Sequence, residues 1–106
     1  LSGGQKKLVA IAGILTLTPQ LLLMDEPSAA LDAKNRRNLI NILRGLPCTQ
    51  LIASHDLDFI YETCERVLLL HEGRLAADGA VQDVLRDKEL LEACDLELPL
   101  MFQLAD

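Results

Sequence analysis

The run from Gln20 to Met24 constrains the fold most. Bounded by Pro19 and Asp25, it is short and continuously apolar. It reads as a strand buried on both faces. A piece of buried helix is the rival reading, but helices run roughly ten residues or more and this stretch is too short.

The segments around it alternate between two periodicities. From Ser2 to about Leu17 the spacing is helical, with Leu8, Ile11, Ala12 and Leu15 forming a buried stripe and Lys6 and Lys7 at a solvated start. Gly13 costs this helix about 1 kcal/mol relative to Ala, and Thr18-Pro19 ends it. Ala33 to about Arg44 is a second helix, with Leu39, Ile40 and Leu43 inward and Lys34, Arg36 and Arg37 outward. Asp32 can cap it, Gly45 stops it, and Pro47 follows. Thr49 to Ala53 is a second strand. Asp56 can cap a helix from Leu57 to about Cys64, with Phe59 and Ile60 inward. Val67 to Leu70 is a third strand, Glu72-Gly73 a turn, and Arg74 to Ala77 a returning hairpin strand. Asp78-Gly79 reads as another turn. Ala80 to Arg86 and Lys88 to Cys94 are short amphipathic helices. Leu96 to Asp106 is a Leu-rich stretch broken by Pro99 and receives no element; residues 80–106 together form a C-terminal helical tail.

The order helix, strand, helix, strand, helix, strand predicts an α/β fold, mainly a parallel sheet with crossover helices. Ligands of such sheets lie beyond the carboxyl ends of the strands. Asp25-Glu26 and Ser54-His55 both follow strands, so both fall on that edge.

With 106 residues, the chain suffices for one domain with a modest core. Half the residues are hydrophobic but only 3% are aromatic, so the core must be built from Leu, Ile, Val and Ala. A net charge of -6 argues against a general nucleic-acid surface, and no nucleic-acid partner is expected. The longest apolar run, Leu8 to Leu15 with Gly13 included, is too short to span a bilayer. No charged n-region or cleavage pattern marks a signal peptide. Cys48, Cys64 and Cys94 show no metal-ligand spacing, so free thiols in a reducing cytosol, used for packing, are expected. Residue 1 is Leu and falls inside a motif, so the chain reads as a piece of something longer.

Three stretches carry chemistry. Leu1-Ser2-Gly3-Gly4-Gln5 opens a helix, with Ser2 as N-cap and Gln5 at the capping-box position. Gly3 and Gly4 let an anion approach backbone N–H groups at the positive end of the helix dipole. Taken alone, the same string is an ordinary capped helix start. Asp25-Glu26 places two carboxylates after an apolar strand, a costly arrangement unless something binds them. Asp25 suits a hydrated Mg²⁺ ion, and Glu26 could orient or deprotonate a water. Solvated acids at a strand end are the alternative. His55 follows the next strand, where a ring N–H could reach a terminal phosphate; a structural His is the alternative there.

In this order the stretches resemble the motifs of ABC-type ATPases. Leu1-Ser2-Gly3-Gly4-Gln5 resembles the family's signature sequence, and Leu21 to Glu26 its Walker B strand with the catalytic glutamate. Ser28-Ala29-Ala30-Leu31-Asp32 looks like the D-loop, and Ser54-His55-Asp56 like the switch-histidine loop. The resemblance covers roughly residues 1–80, and the remainder more weakly. It implies that Ser2, Gly3, Gly4 and Gln5 contact an ATP held mainly by a second, facing ATPase domain, in a homo- or heterodimer. It further implies that Asp25 holds Mg²⁺ through water and Glu26 is the general base. His55 would hold the γ-phosphate and the attacking water, and Asp32 would carry the state of one site to the other. Leu8 and Gly13 stand where the family commonly has Arg, at positions that should not touch phosphate.

A complete nucleotide site needs a GxxxxGK[ST] loop, and no such string occurs. The chain therefore resembles the C-terminal half of an ATPase domain, and by itself is expected to be inactive. Ala10 to Leu15, His55-Asp56-Leu57-Asp58 and Leu96 to Leu100 resemble the energy-coupling-factor ATPases of cobalt and nickel uptake. That resemblance implies an ATP-hydrolysing importer subunit, peripheral on the cytoplasmic face of the membrane and bound to an integral membrane subunit. The rival readings are a soluble ABC protein acting on ribosomes and a fragment that does not hydrolyse ATP. The short, acidic, Leu-rich end disfavours the first.

Overall fold

The computed structural model describes residues 3–104. Leu1 and Ser2, including the expected Ser2 cap, lie outside the described residues, as do the last two. The chain divides into two compact units after His55.

The first unit runs α1 (Gly3–Leu15), β1 (Leu21–Asp25), α2 (Ala33–Arg44) and β2 (Thr49–Ala53). β1 and β2 pair in parallel, from Leu21 opposite Thr49 to Asp25 opposite Ala53. Parallel neighbours require a crossover, and α2 is part of it. The Asp32 carboxylate starts α2 by accepting the Asn35 N–H at 2.8 Å. Leu39, Ile40 and Leu43 lie on its apolar face and are fully buried. Arg36 is half-buried, against the expectation that it points outward.

Two further expectations for this unit are corrected. Ala12 is exposed, so the α1 stripe narrows to buried Ile11 flanked by half-buried Leu8 and Leu15. Gly45 ends α2 as expected, with φ -88°, in the right-handed region. Its N–H reaches back to α2 carbonyls without the left-handed turn that favours glycine. Finally, β1 is buried on one face only: Leu22 is 5% exposed, while Leu21 and Leu23 are 52% and 65% exposed. Alternation along a strand sends those two leucines to the opposite face.

The second unit contains α3 (Leu57–Thr63), β3 (Arg66–His71), β4 (Arg74–Ala80), α4 (Val81–Leu85), α5 (Lys88–Ala93) and α6 (Leu100–Gln103). Asp56 caps α3 by accepting the Phe59 N–H. Phe59 is fully buried beside Leu85, Leu91 and Pro99 among the large buried side chains. Phe59 and Ile60 thus point inward as expected, and Phe59 adds an aromatic ring to an otherwise aliphatic core.

β3 does not extend the parallel pair; it forms an antiparallel hairpin with β4. Glu72 and Gly73 both have positive φ, at 51° and 76°, as a two-residue primed turn requires. Asp78 and Gly79, expected as a turn, lie inside β4, which continues to Ala80. Arg66 holds Asp78 diagonally across the ladder through two bonds of 2.7 and 2.6 Å. The ladder itself, with Leu68 opposite Asp78 and Val67 opposite Gly79, carries the strand through residues whose composition favours a turn. In the tail, the Leu100 N–H donates to Asp58 at 2.8 Å, and the Phe102 ring meets Tyr61 edge-on at 5.2 Å. These contacts give the segment after Pro99 a place that periodicity did not indicate. Cys48, Cys64 and Cys94 are free thiols.

Candidate functional site

Because β1 and β2 run in parallel and in register, their carboxyl ends emerge together. The ladder continues one residue past β1, where the Glu26 N–H donates to Ala53 O at 2.7 Å. This brings Glu26 to Ser54 and His55. One carboxylate oxygen, Oε1, accepts the His55 N–H at 2.9 Å and contacts His55 Nδ1 at 2.7 Å. The other, Oε2, accepts the Ser54 hydroxyl at 3.1 Å. Glu26 and His55, predicted separately from two strand ends, are therefore one cluster. Ser54, absent from the predicted site residues, is its third member. The sequence signal was its position immediately before His55.

The backbone of Glu26 is unusual. Its φ is +48°, in the left-handed region, and it precedes Pro27, which itself restricts the residue before it. A non-glycine residue there costs on the order of 1–3 kcal/mol and persists only where its surroundings over-determine it. The surroundings here are the Ala53 bond on one side and two contacts on the Glu26 carbonyl. That carbonyl accepts the Ala29 N–H at 3.2 Å and the Lys7 ammonium at 3.0 Å. Lys7 also reaches Ala29 O at 3.2 Å. Lys7, expected at a solvated helix start, is half-buried and committed to this loop.

The His55 ring bond, then the His55 backbone N–H and the Ser54 hydroxyl, outweigh partial burial and hold the Glu26 carboxyl below its ordinary range. A carboxylate depressed in the folded state stabilises the fold fully above the unfolded pKa. That contribution is lost as pH falls through the lowered folded value. Carbon-13 NMR titration of Glu26 in the full-length protein checks the cause. The midpoint is expected to rise modestly in Ser54→Ala and further in His55→Ala. A smaller rise in His55→Ala than in Ser54→Ala would remove the ring as the main influence.

The other predicted residues are placed as follows. Gly3 and Gly4 form the first turn of α1, where backbone N–H groups have no intrahelical partner. Gly3 has open space around it, whereas a Cβ on Gly4 would stand 2.8 Å from Asn35 Nδ2 and 3.2 Å from Asn35 Cβ. A side chain at Gly4 would therefore press on Asn35 of α2, so the packing of α1 on α2 favours glycine there. Gln5 is exposed on the same turn. Asp32 uses its carboxylate as the α2 cap. Asp25 is an exposed carboxylate at the end of β1. Among the described residues, no three of His, Cys, Asp or Glu gather where they could enclose a metal. A lone carboxylate fits Mg²⁺, which keeps several waters and commonly binds through one or two carboxylates and substrate phosphates.

No protein-family model matches the chain. An ABC transporter ATP-binding protein of Synechocystis is 50% identical over 99 residues, 93% of this chain and 35% of that protein. The energy-coupling factor transporter ATP-binding protein EcfA of Methanothermobacter thermautotrophicus is 43% identical over 102 residues, 93% of this chain and 33% of that protein. Among solved structures, cbiO1 of Clostridium perfringens, part of the ABC transporter complex cbiONQ, is similar with a TM-score of 0.73 and 38% identity. That match covers 98% of this chain and 43% of the other. An ATP-binding cassette of an ABC transporter, MJ1267, gives a TM-score of 0.75 at 31% identity, over 87% of this chain and 39% of the other. The chain spans well under half the length of these relatives. By sequence and by fold, it is part of the ATP-binding domain of the ABC ATPase family.

Proposed function

We propose that this chain belongs to an ATP-hydrolysing subunit that energises an ABC transporter, and within it supplies the water-activating carboxylate. The observation that carries the reading is the 2.7 Å contact between Glu26 and His55 Nδ1 at the shared carboxyl edge of β1 and β2. It joins the candidate base to the candidate phosphate ligand. The second ring nitrogen, Nε2, is then left for a phosphate oxygen. Donating from both nitrogens requires the imidazolium form. Glu26, kept ionised by its three donors, can accept a proton from a water. Ser2, Gly3, Gly4 and Gln5 contact the ATP of a facing ATPase domain through the start of α1. Asp25 would hold a hydrated Mg²⁺ ion, which would neutralise phosphate charge. Asp32, at the junction of the loop and α2, links one site to the other.

The transporter type is read as energy-coupling-factor uptake of cobalt or nickel. The likeness to EcfA and to cbiO1, described as part of cbiONQ, supports it. The subunit would lie on the cytoplasmic face of the membrane as a homo- or heterodimer with an integral membrane subunit. Among the described residues no helix is long and apolar enough to cross a membrane. The test is reconstitution of the full-length protein with its membrane subunits in vesicles. ATP-dependent accumulation of radiolabelled Co²⁺ or Ni²⁺ is expected. ATP hydrolysis without accumulation of either ion would remove the cargo assignment, and absence of hydrolysis would remove the whole reading.

A further inference from the structure

α1 meets the segment 26–35 at two levels, through residues three apart on one helical face. Gly4 packs against Asn35, so closely that a methyl group there would meet the Asn35 side chain at 2.8 Å. One turn on, the Lys7 ammonium bridges the carbonyls of Glu26 and Ala29 at 3.0 and 3.2 Å. Those carbonyls belong to two consecutive turns, closed by Ala29 N–H to Glu26 O and Leu31 N–H to Ser28 O. The loop also holds Glu26 and Ala30 at positive φ, 48° and 63°. Such a loop keeps its shape only while its restraints hold. On the amino side of Glu26 the restraint is a strand bond to Ala53. On its carbonyl side, the restraint from outside the loop is Lys7.

We propose that Lys7 is a positioning residue for Glu26: its ammonium clamps the Glu26 and Ala29 carbonyls and ties the backbone of the base to the helix that begins with Gly3 and Gly4. The inference rests on the reading of Glu26 as the general base. Its consequence is mechanical. A phosphate engaged at the start of α1 is connected, through one turn of helix and one ammonium, to the carboxylate that activates water in the same chain. Displacing a catalytic group by about 1 Å can lower turnover by 10²-fold, so loss of the clamp acts on kcat rather than on binding.

The experiment uses the full-length ATPase with its partners and four variants: Lys7→Met, Lys7→Arg, Glu26→Gln and the double variant Lys7→Met/Glu26→Gln. Lys7→Met keeps the stem and deletes the donors. It should lower kcat about tenfold or more, leaving the KM for ATP and the melting temperature nearly unchanged. Lys7→Arg, whose guanidinium can also span two carbonyls, should recover most of the turnover. In the Glu26→Gln background, Lys7→Met should change the residual rate by less than about twofold, since both act through one carboxylate. Wild-type kcat in Lys7→Met overturns the inference. An equal loss in both backgrounds also overturns it, as does a loss that Lys7→Arg does not recover. If Glu26→Gln itself hydrolyses ATP normally, the base assignment fails and Lys7 falls with it. If Glu26→Gln is inactive and Lys7→Met is not, only Lys7 falls.

Discussion

Glu26→Gln in the full-length protein is expected to lower ATP turnover by about 10²- to 10⁴-fold, the range for removing a general base, while ATP binding stays close to normal. The network around Glu26 explains why this substitution separates chemistry from structure. The amide oxygen of Gln can take over Oε1 and continue to accept from the His55 N–H and ring, now at 2.9 and 2.7 Å. The amide nitrogen then faces the Ser54 hydroxyl, which donates to Oε2 at 3.1 Å in the native chain. A hydroxyl can accept as readily as donate, so the new amide N–H finds an acceptor in Ser54, which gives up only its own donation to Oε2. What disappears is the ability to take a proton from water. The variant should therefore accumulate as a nucleotide-bound dimer, visible by size-exclusion chromatography with ATP and absent without it. Hydrolysis within twofold of the wild type would end the base assignment.

His55→Ala should lower turnover by about 10²- to 10³-fold, as removal of one donor to a developing charge does, with a melting temperature changed by no more than about 2 °C. The second half of this expectation follows from exposure, since the His55 side chain is 91% exposed and fills no core space. The first follows from the bonds that survive. Alanine retains the backbone N–H at 2.9 Å from Oε1, and Ser54 still donates to Oε2. Two of the three donors to Glu26 thus remain to orient the carboxylate. Lost activity with an unchanged melting temperature would then be traced to the ring itself, through its bond to Glu26 or the proposed phosphate contact, rather than to collapse of the site. Steady-state ATPase rates together with thermal melts decide the matter. A variant that hydrolyses normally removes His55 from the site, whereas one that loses activity and stability in parallel makes it a structural residue.

Much of the site could be read before any fold was known, because it rests on strand ends. An apolar run that stops at two carboxylates, and a second that stops at Ser-His, must bring these residues to one edge if the strands are parallel neighbours. Asp32 and Asp56 were legible as caps for a similar reason, since capping is a bond between a side chain and an N–H about three residues on. The residues that escaped are those whose partners lie far along the chain. Lys7 is 19 positions from Glu26, and nothing in the spacing of Lys6 and Lys7 separates a solvated lysine from a buried clamp. The positive φ of Glu26 was equally hidden, because a glutamate before a proline has no local reason to adopt it.

The sequence by itself determined the alternation of helices and strands, the parallel pairing of β1 with β2 and the carboxyl-edge location of Asp25, Glu26 and His55. These follow from hydrophobic period, turn chemistry and chain connectivity, all local properties. Only the tertiary structure decided that Glu26 bonds to His55 and Ser54, that Gly4 packs against Asn35, and that Lys7 holds the loop. It also placed Asp78 and Gly79 inside a strand, because their ladder pairing with Leu68 and Val67 outweighs a local preference for a turn. The physical reason is common to all four: a hydrogen bond or close contact between distant residues depends on angstrom-scale placement, which periodicity along the chain does not encode.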